Sequence, residues 1–227
     1  MQLANQERIT IPGGLQEESF AGMEKDGRVL PAEDDRVSVR VGSLDAEIQL
    51  EQAVFSSPAR QRFLSEHPGT VETRGLLKVS PEALPNHLTA RTLAGRNRIS
   101  VSPYVLVDNE RGCLLAYYHL GDSLSGHKGL VHGGLQATLL DECMGRACFP
   151  LLPEKSAVTA HFELDYRNPI KADSVILIRA ETERVEGRKA WTKGTVEAVG
   201  ENDGQVLVES KALFVQPRWV AGMELLM

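Results

Sequence analysis

A single helix-forming stretch among six β-type runs most limits how this 227-residue chain can fold. The helix is predicted over 134–148 and is stopped by Pro150. Two of the β-type runs precede the helix and four follow it, at 99–107, 113–120, 157–167, 174–184, 188–199 and 205–215. This order predicts an α+β domain in which one antiparallel sheet curls around one long helix.

The apolar run Val175–Ile178 predicts which strand lies deepest in that sheet. A strand with one solvated face alternates apolar and polar residues, whereas a strand covered on both faces is apolar throughout. We therefore expect 174–184 to be a central strand with both faces covered.

The part of the chain before this domain has a different composition. Residues 1–45 are polar and broken by prolines and glycines, which predicts a flexible N-terminal segment. Residues 46–66 have helical spacing, and Ser57-Pro58 is expected to divide them into two helices. We therefore assign 46–95 to a helical extension and 96–218 to the main domain.

Charge and cysteine content exclude several classes of protein. The formal net charge is -6, which disfavours binding to nucleic acid. The three cysteines are an odd number without paired spacing, which argues against a disulfide framework and for a reducing compartment. No apolar run approaches the ~20 residues of a membrane span. Residues 1–20 lack the pattern of a secretory or mitochondrial signal, so a cytoplasmic location is expected.

The start of the helix carries the strongest chemical signal. A glycine-rich turn, His132-Gly133-Gly134, opens the helix, and Asp141 lies two turns further along it. Exposed amides at a helix start can hold an oxyanion. A carboxylate on a mostly apolar helix is costly unless it has a use. Together these features predict hydrolysis of an acyl group.

A helical wheel separates the two acidic residues of this helix. Asp141 shares a face with small residues, where a ligand or backbone can approach closely. That face comprises Gly134, Ala137, Thr138, Asp141, Gly145 and Cys148. Glu142 lies one turn from Arg146, which predicts an ion pair. We therefore assign Asp141 to chemistry and Glu142 to structure; a buried carboxylate held by backbone donors is the alternative for Asp141.

The spacing of the glycine turn and the carboxylate predicts an oligomer. Gly134 and Asp141 are seven residues apart, roughly 10 Å along a helix axis. One thioester carbonyl cannot lie ~3 Å from both groups of the same chain. If both act on one carbonyl, they come from two subunits, which predicts a dimer with active sites across the interface.

Other candidate groups are given structural roles. His132 is favoured as a residue that hydrogen-bonds the turn and orients its glycines, because no serine or cysteine nucleophile accompanies it in an evident motif. Cys143 and Cys148 are expected to be small core residues. The remaining candidate histidines show no metal-ligand spacing, so no metal site is predicted from His119, His127 and His161.

These motifs resemble those of a known family. His132-Gly133-Gly134 followed by Asp141, nine positions after the histidine, resembles the hotdog-fold acyl-CoA thioesterases of the phenylacetyl-CoA thioesterase type. Segments 159–170 and 185–191 are similar to the later strands of the subgroup that includes the carboxyl-terminal modulator protein and its fungal relatives. The resemblance covers about residues 90–217 and implies a hotdog fold.

The resemblance also implies roles for individual residues. Asp141 matches the catalytic aspartate, which acts as nucleophile or activates water. Gly134 matches the glycine whose amide polarises the thioester carbonyl, and His132 and Gly133 complete that turn. Thr159 matches a threonine or serine that assists the attacking water.

Substrate and assembly follow from the same resemblance. It implies hydrolysis of an acyl-CoA or a carrier-bound acyl thioester by a homodimer or a dimer of dimers. Arg188 and Lys189 lie where the family often places groups near the CoA phosphates. No metal or redox cofactor is implied, since coenzyme A enters only as part of the substrate.

Two alternatives remain. The first is a non-catalytic hotdog protein that regulates a protein partner. The second is hydration or dehydration of an acyl thioester, which typically uses an Asp and His pair in a loop arrangement that this chain lacks.

Overall fold

The computed structural model describes the backbone of residues 35–219 and the side chains of residues 44–219. Most of the predicted flexible segment 1–45 therefore lies outside the described residues.

Three α-helices and nine strands, with four short 3-10 or π-helical turns, make up the regular structure of this described part. The helices are α1 (Asp35–Ser56), α2 (Pro58–Glu66) and α3 (Gly133–Cys148). The strands are β1 (Val71–Arg74), β2 (Tyr104–Asp108), β3 (Cys113–Leu120), β4 (Ser125–His127), β5 (Leu130–Val131), β6 (Val158–Tyr166), β7 (Ser174–Glu186), β8 (Lys189–Ala198) and β9 (Val206–Val215). Ser57 separates α1 from α2 and caps α2, as its Oγ accepts the Arg60 N–H, which confirms the predicted division at Ser57-Pro58.

Seven of the strands form one antiparallel sheet in the order β1-β2-β3-β7-β8-β9-β6, and β4 and β5 form a separate hairpin. Helix α3 packs against β3, β6, β7, β8 and β9. One antiparallel sheet around one long helix is the predicted hotdog fold, which is thus confirmed. The order also makes β6 an edge strand.

The sheet is covered on both faces at its centre. Alternate residues of β3 point to opposite sides, so Leu114, Ala116 and Tyr118 join the core under α3. Their neighbours Leu115 and Tyr117 join a second core beneath the first two helices, with Leu50, Val54, Phe63, Leu106 and Leu177. Because β7 contributes to both cores, its continuous apolar run is explained and its predicted central position is confirmed.

Three boundaries differ from the sequence-based prediction. Helix α1 begins at Asp35, inside the segment 1–45, because no proline interrupts the chain between Pro31 and Pro58. Strand β1 pairs with β2, so part of the predicted extension belongs to the main sheet. Strand β2 begins only at Tyr104, after Pro103, which has no N–H for the ladder.

None of the helices in the described part of the chain is long and apolar enough to cross a bilayer.

Candidate active site

The start of α3 is closed by a histidine cap. His132 is the N-cap residue in extended conformation, and its Nδ1 accepts the Gly134 N–H at 2.9 Å. The ring thus satisfies one of the amides that a helix start leaves without a partner. This contact requires the neutral ring to carry its proton on Nε2. The Gly134 amide can reach a substrate oxygen only when this bond opens.

Two glycines are needed for the ring to lie there. A Cβ on Gly126 would approach the His132 ring within 2.8 Å, and one on Gly134 within 3.0 Å. The turn is also held from the edge strand, because the Tyr166 hydroxyl donates to the Gly133 carbonyl at 2.9 Å. The histidine and the tyrosine together fix both sides of the turn.

Asp141 meets a residue of strand β6. The Thr159 hydroxyl donates to Asp141 Oδ1 at 2.7 Å. Asp141 is only half-buried and Thr159 is exposed, so both are accessible in the single chain. Strand β6 shifts register against β9 between Thr159 and His161. Such irregularities are common beside active sites, where they re-aim a side chain.

Asp141 and the glycine turn occupy different parts of the same helix. Seven residues of α3 separate Gly134 from Asp141, about 10 Å along the axis. Thr159, at one end of β6, is near the carboxylate, whereas Tyr166, at the other end, is near the turn. A single chain therefore presents two half-sites rather than one complete site.

The predicted ion pair between Glu142 and Arg146 is wrong. The Thr89 hydroxyl lies 2.9 and 2.8 Å from the two carboxyl oxygens of Glu142, which share its one proton. Arg146 instead donates to Asn109 in the β2–β3 turn at 2.9 Å. Glu142 and Arg146 therefore hydrogen-bond to different segments of the chain rather than to each other. Burial is the main cause that raises the pKa of Glu142 to about 7; the hydrogen bond from Thr89 opposes this rise, and the charge of Asp141 adds to it.

The cysteines near the site are core residues. Cys143 and Cys148 are fully buried, and burial raises the pKa of both thiols, to about 12 for Cys148. Neither is poised as a thiolate nucleophile. Among residues 44–219, no three His, Cys, Asp or Glu side chains are grouped to hold a metal ion.

The structure places Arg188 and Lys189 at the Thr159 end of β6. Lys189 pairs with Val215 of β9, which in turn pairs with Val158. Two strand spacings give about 10 Å between Lys189 and the start of β6. Arg188 donates to the Gln216 carbonyl at 2.5 Å, whereas the Lys189 side chain is exposed.

Three contacts around the turn were not predicted from the sequence. They are made by Tyr166, by Gly126 and by Gln136, whose Nε2 donates to the Val131 carbonyl at 3.0 Å. Gln136 is a buried polar residue. Its place on a mostly apolar helix is the one sequence feature that could have identified it. Tyr166 and Gly126 reach the turn only through tertiary packing. Their spacing along the chain therefore did not indicate these roles.

Comparison with known proteins identifies the family. A family model described as "Thioesterase superfamily" matches residues 128–205. An uncharacterized protein of Schizosaccharomyces pombe is 32% identical over 126 residues, which cover 55% of this chain and 72% of that protein. The chain belongs to the thioesterase superfamily. The matched region of this thioesterase-superfamily chain contains the glycine turn, Asp141, Thr159 and the β7–β8 hairpin.

Other relatives match this chain over smaller fractions of their own length. An uncharacterized mitochondrial protein of Candida albicans is 34% identical over 59% of this chain and 61% of its own. The acyl-coenzyme A thioesterase THEM4 of Xenopus laevis is 31% identical over 45% of each chain. The chain thus spans less than two thirds of either relative. A thioesterase-like structure from Ralstonia eutropha has 24% identity and a TM-score of 0.44 over 48% of this chain and 80% of its own.

The expected cytoplasmic location gains no support from these relatives. The Candida albicans protein is named mitochondrial, and a Saccharomyces cerevisiae relative, 27% identical over 63% of this chain and 59% of its own, is named as a mitochondrial membrane protein.

Proposed function

We propose that this protein hydrolyses an acyl thioester, carried on CoA or on a carrier protein, to the free acid. The observation that carries the proposal is the Asp141–Thr159 hydrogen bond on the accessible face of α3, in the same helix that the glycine turn opens. A thioesterase needs a base or nucleophile and a donor to the carbonyl oxygen, and these elements can supply both.

Asp141 acts as the base or nucleophile in this proposal. Its Oδ1 is occupied by Thr159, which leaves Oδ2 to face water or the thioester carbonyl. Thr159 orients the carboxylate and the attacking water. A backbone amide of the turn polarises the carbonyl; for Gly134 this requires release of the His132 ring.

The edge strand supports a site shared between two subunits. Strand β6 has an open edge, and Val158 and Tyr166 expose 40% and 54% of their surface. An unpaired edge is a template for a second strand. If two copies of β6 pair antiparallel about their centre, Val158 lies opposite Tyr166 of the partner subunit. Opposed side chains are about 5 Å apart. The Asp141–Thr159 pair then lies beside the partner's glycine turn.

The CoA moiety would lie along the rim of such a dimer. Lys189 and Arg188 are on the same side of the sheet edge as Thr159, within about 10 Å of β6. Cations at that distance suit the phosphates of CoA or of a carrier's prosthetic arm.

The proposed assembly is a homodimer or a dimer of dimers. The proposed location is the cytoplasm, which cell fractionation would test.

Kinetics of Asp141→Asn on a panel of acyl-CoAs test the proposal. The substitution keeps the size of the side chain and removes its charge and basicity, so kcat should fall by ~100-fold or more. Glu110→Gln, an exposed carboxylate in the β2–β3 turn, is the matched control and should retain activity. Turnover near the wild-type level in Asp141→Asn would refute the assignment.

A regulatory role without catalysis is the second candidate. One relative, 37% identical over 49% of this chain and 41% of its own, is named as a component of the Saccharomyces cerevisiae MIOREX complex. If this role is correct, the purified wild type hydrolyses no thioester in the panel, and Asp141→Asn has no effect in cells that lack the native protein.

A further inference from the structure

A cavity lined by Glu142 of α3 is not used by the proposed mechanism. Its volume is about 510 Å³, the size of pockets that hold small molecules. The outer walls come from residues 74–79 and 84–103, and Tyr118 and Glu142 close the inner side. All but one of these residues lie outside the segment 128–205 that the family model matches.

Aliphatic and polar side chains share the walls, and one of the polar groups is a carboxyl. Leu76, Leu84 and Ile99 line the cavity together with Glu142 and Thr89. A pocket that combines apolar walls with convergent polar groups can bind a partly apolar ligand in one orientation.

The Glu142 carboxyl is short of hydrogen-bond donors. One hydroxyl, that of Thr89, serves both of its oxygens, although a carboxylate can accept about four hydrogen bonds. Arg74 and His87, which also line the cavity, have other partners. Arg74 donates to Glu47 and to the Ser102 carbonyl, and His87 caps the Ala90 N–H. A half-buried carboxyl in this state is stabilised by any ligand that brings a donor.

The same carboxyl is close to Asp141. The two residues are consecutive on α3, so their Cα atoms are about 3.8 Å apart and their side chains diverge by roughly 100° around the axis. The negative charge of Asp141 contributes to the raised pKa of Glu142, as expected for two carboxyl groups within electrostatic range. A ligand whose reacting carbonyl lies at Asp141 can therefore extend a few bonds around the helix to Glu142.

We propose that this cavity holds the acyl group of the thioester and that Glu142 selects acyl groups carrying an O–H or N–H donor over plain alkyl groups. The inference rests on the proposed thioesterase function. A site that hydrogen-bonds a substrate group discriminates against the analogue lacking it, because its own buried polar group is then left without a partner.

Matched pairs of acyl-CoAs test the inference. Each pair has the same chain length, with one member saturated and the other carrying a single hydroxyl, which is moved along the chain from pair to pair. We expect kcat/KM to favour the hydroxylated member by about tenfold or more at one or two positions. Effects of a mutation on Asp141 or on CoA binding change both members equally and cancel in this ratio.

Two cavity variants should shift the ratio in opposite directions. Glu142→Leu removes the acceptor, so the ratio should fall to about one. Thr89→Val removes the hydroxyl that donates to Glu142, so the carboxyl depends more on the ligand and the ratio should rise. Glu201→Leu, in the exposed β8–β9 turn, is the matched control and should keep the wild-type ratio. A general loss of stability would not change the kcat/KM ratio in opposite directions in the two cavity variants.

A third variant tests whether the acyl chain of the substrate lies in this cavity. Ala94→Phe reduces the cavity volume and should lower kcat/KM for long acyl groups about tenfold while sparing short ones. An unchanged chain-length profile in a folded Ala94→Phe protein would overturn the cavity as the acyl site.

The outcomes separate this inference from the proposed function. Hydrolysis of both members of every pair with equal kcat/KM would overturn the selection by Glu142 and leave the thioesterase function intact. A ratio that survives Glu142→Leu, or that falls in Thr89→Val, would also overturn it. Absence of hydrolysis with all thioesters would refute the proposed function, and the inference would fall with it.

Discussion

The half-buried carboxyl of Glu142 should make the stability of the protein depend on pH in a defined direction. Burial, with a smaller contribution from the charge of Asp141, raises the pKa of Glu142 from 4.5 to about 7, against the hydrogen bond from Thr89. Between these values the folded state binds more protons than the unfolded state. The stabilising contribution of the protonated group is thus complete below pH 4.5 and is lost as the pH rises through 7.

The size of the effect follows from the two pKa values. At about 1.4 kcal/mol per pH unit, the difference corresponds to about 3 kcal/mol of unfolding free energy. For a domain of this length, that is a change in Tm of about 6–12 °C. Glu142→Gln is neutral at every pH and resembles the protonated carboxyl, so it should match the wild type near pH 4.5 and exceed its stability by about 3 kcal/mol at pH 8.

Denaturant unfolding from pH 4.5 to 8, at one protein concentration, measures this difference. Subtracting wild type from Glu142→Gln at each pH removes the contribution of all other titrating groups, such as His119, whose pKa burial lowers. Thr89→Val removes the contact that lowers the Glu142 pKa, so it should move the loss of stability to higher pH. A wild-type-minus-variant difference that stays constant across the range would refute the reasoning.

Three further predictions concern the candidate site. Thr159→Ala should lower kcat by ~10-fold with a smaller change in KM, and an unchanged kcat would leave the residue as an ordinary strand position. Tyr166→Phe removes the hydrogen bond to the Gly133 carbonyl and should lower kcat several-fold without loss of folding by circular dichroism; full activity would exclude a positioning role. Mixed subunits of Asp141→Asn and Gly134→Pro should regain part of the activity that each lacks, because one of the two shared sites is then intact; a strictly monomeric active enzyme would contradict this.

The fold could be predicted from local patterns because each pattern depends on near neighbours in the chain. The apolar run of β7 and the turn signals between strands report backbone conformation directly, and the glycine turn marks the start of α3. Strand β1 could not be found in this way. Its four residues are mostly exposed, and they form a strand only because β2 offers an unpaired edge.

The candidate site was predictable only in part. Asp141, Thr159 and the glycine turn were selected from the helix and from the resemblance, and the structure brings Thr159 onto Asp141. The pairing of Glu142 was wrong because helical spacing says which residues can meet on one helix but not what packs against it. The segment that carries Thr89 precedes Glu142 by more than fifty positions, and its contact is set by packing.

The sequence by itself determined the one-helix sheet, the small-residue face of α3 and the accessible carboxylate on it, since these follow from the 3.6-residue and two-residue periods of the backbone. Tertiary structure alone decided that two neighbouring carboxyl groups have different environments. Asp141 is hydrogen-bonded to Thr159 of the edge strand β6, whereas Glu142 is hydrogen-bonded to Thr89 in the segment between β1 and β2. Burial, which depends on distant parts of the chain, sets that difference.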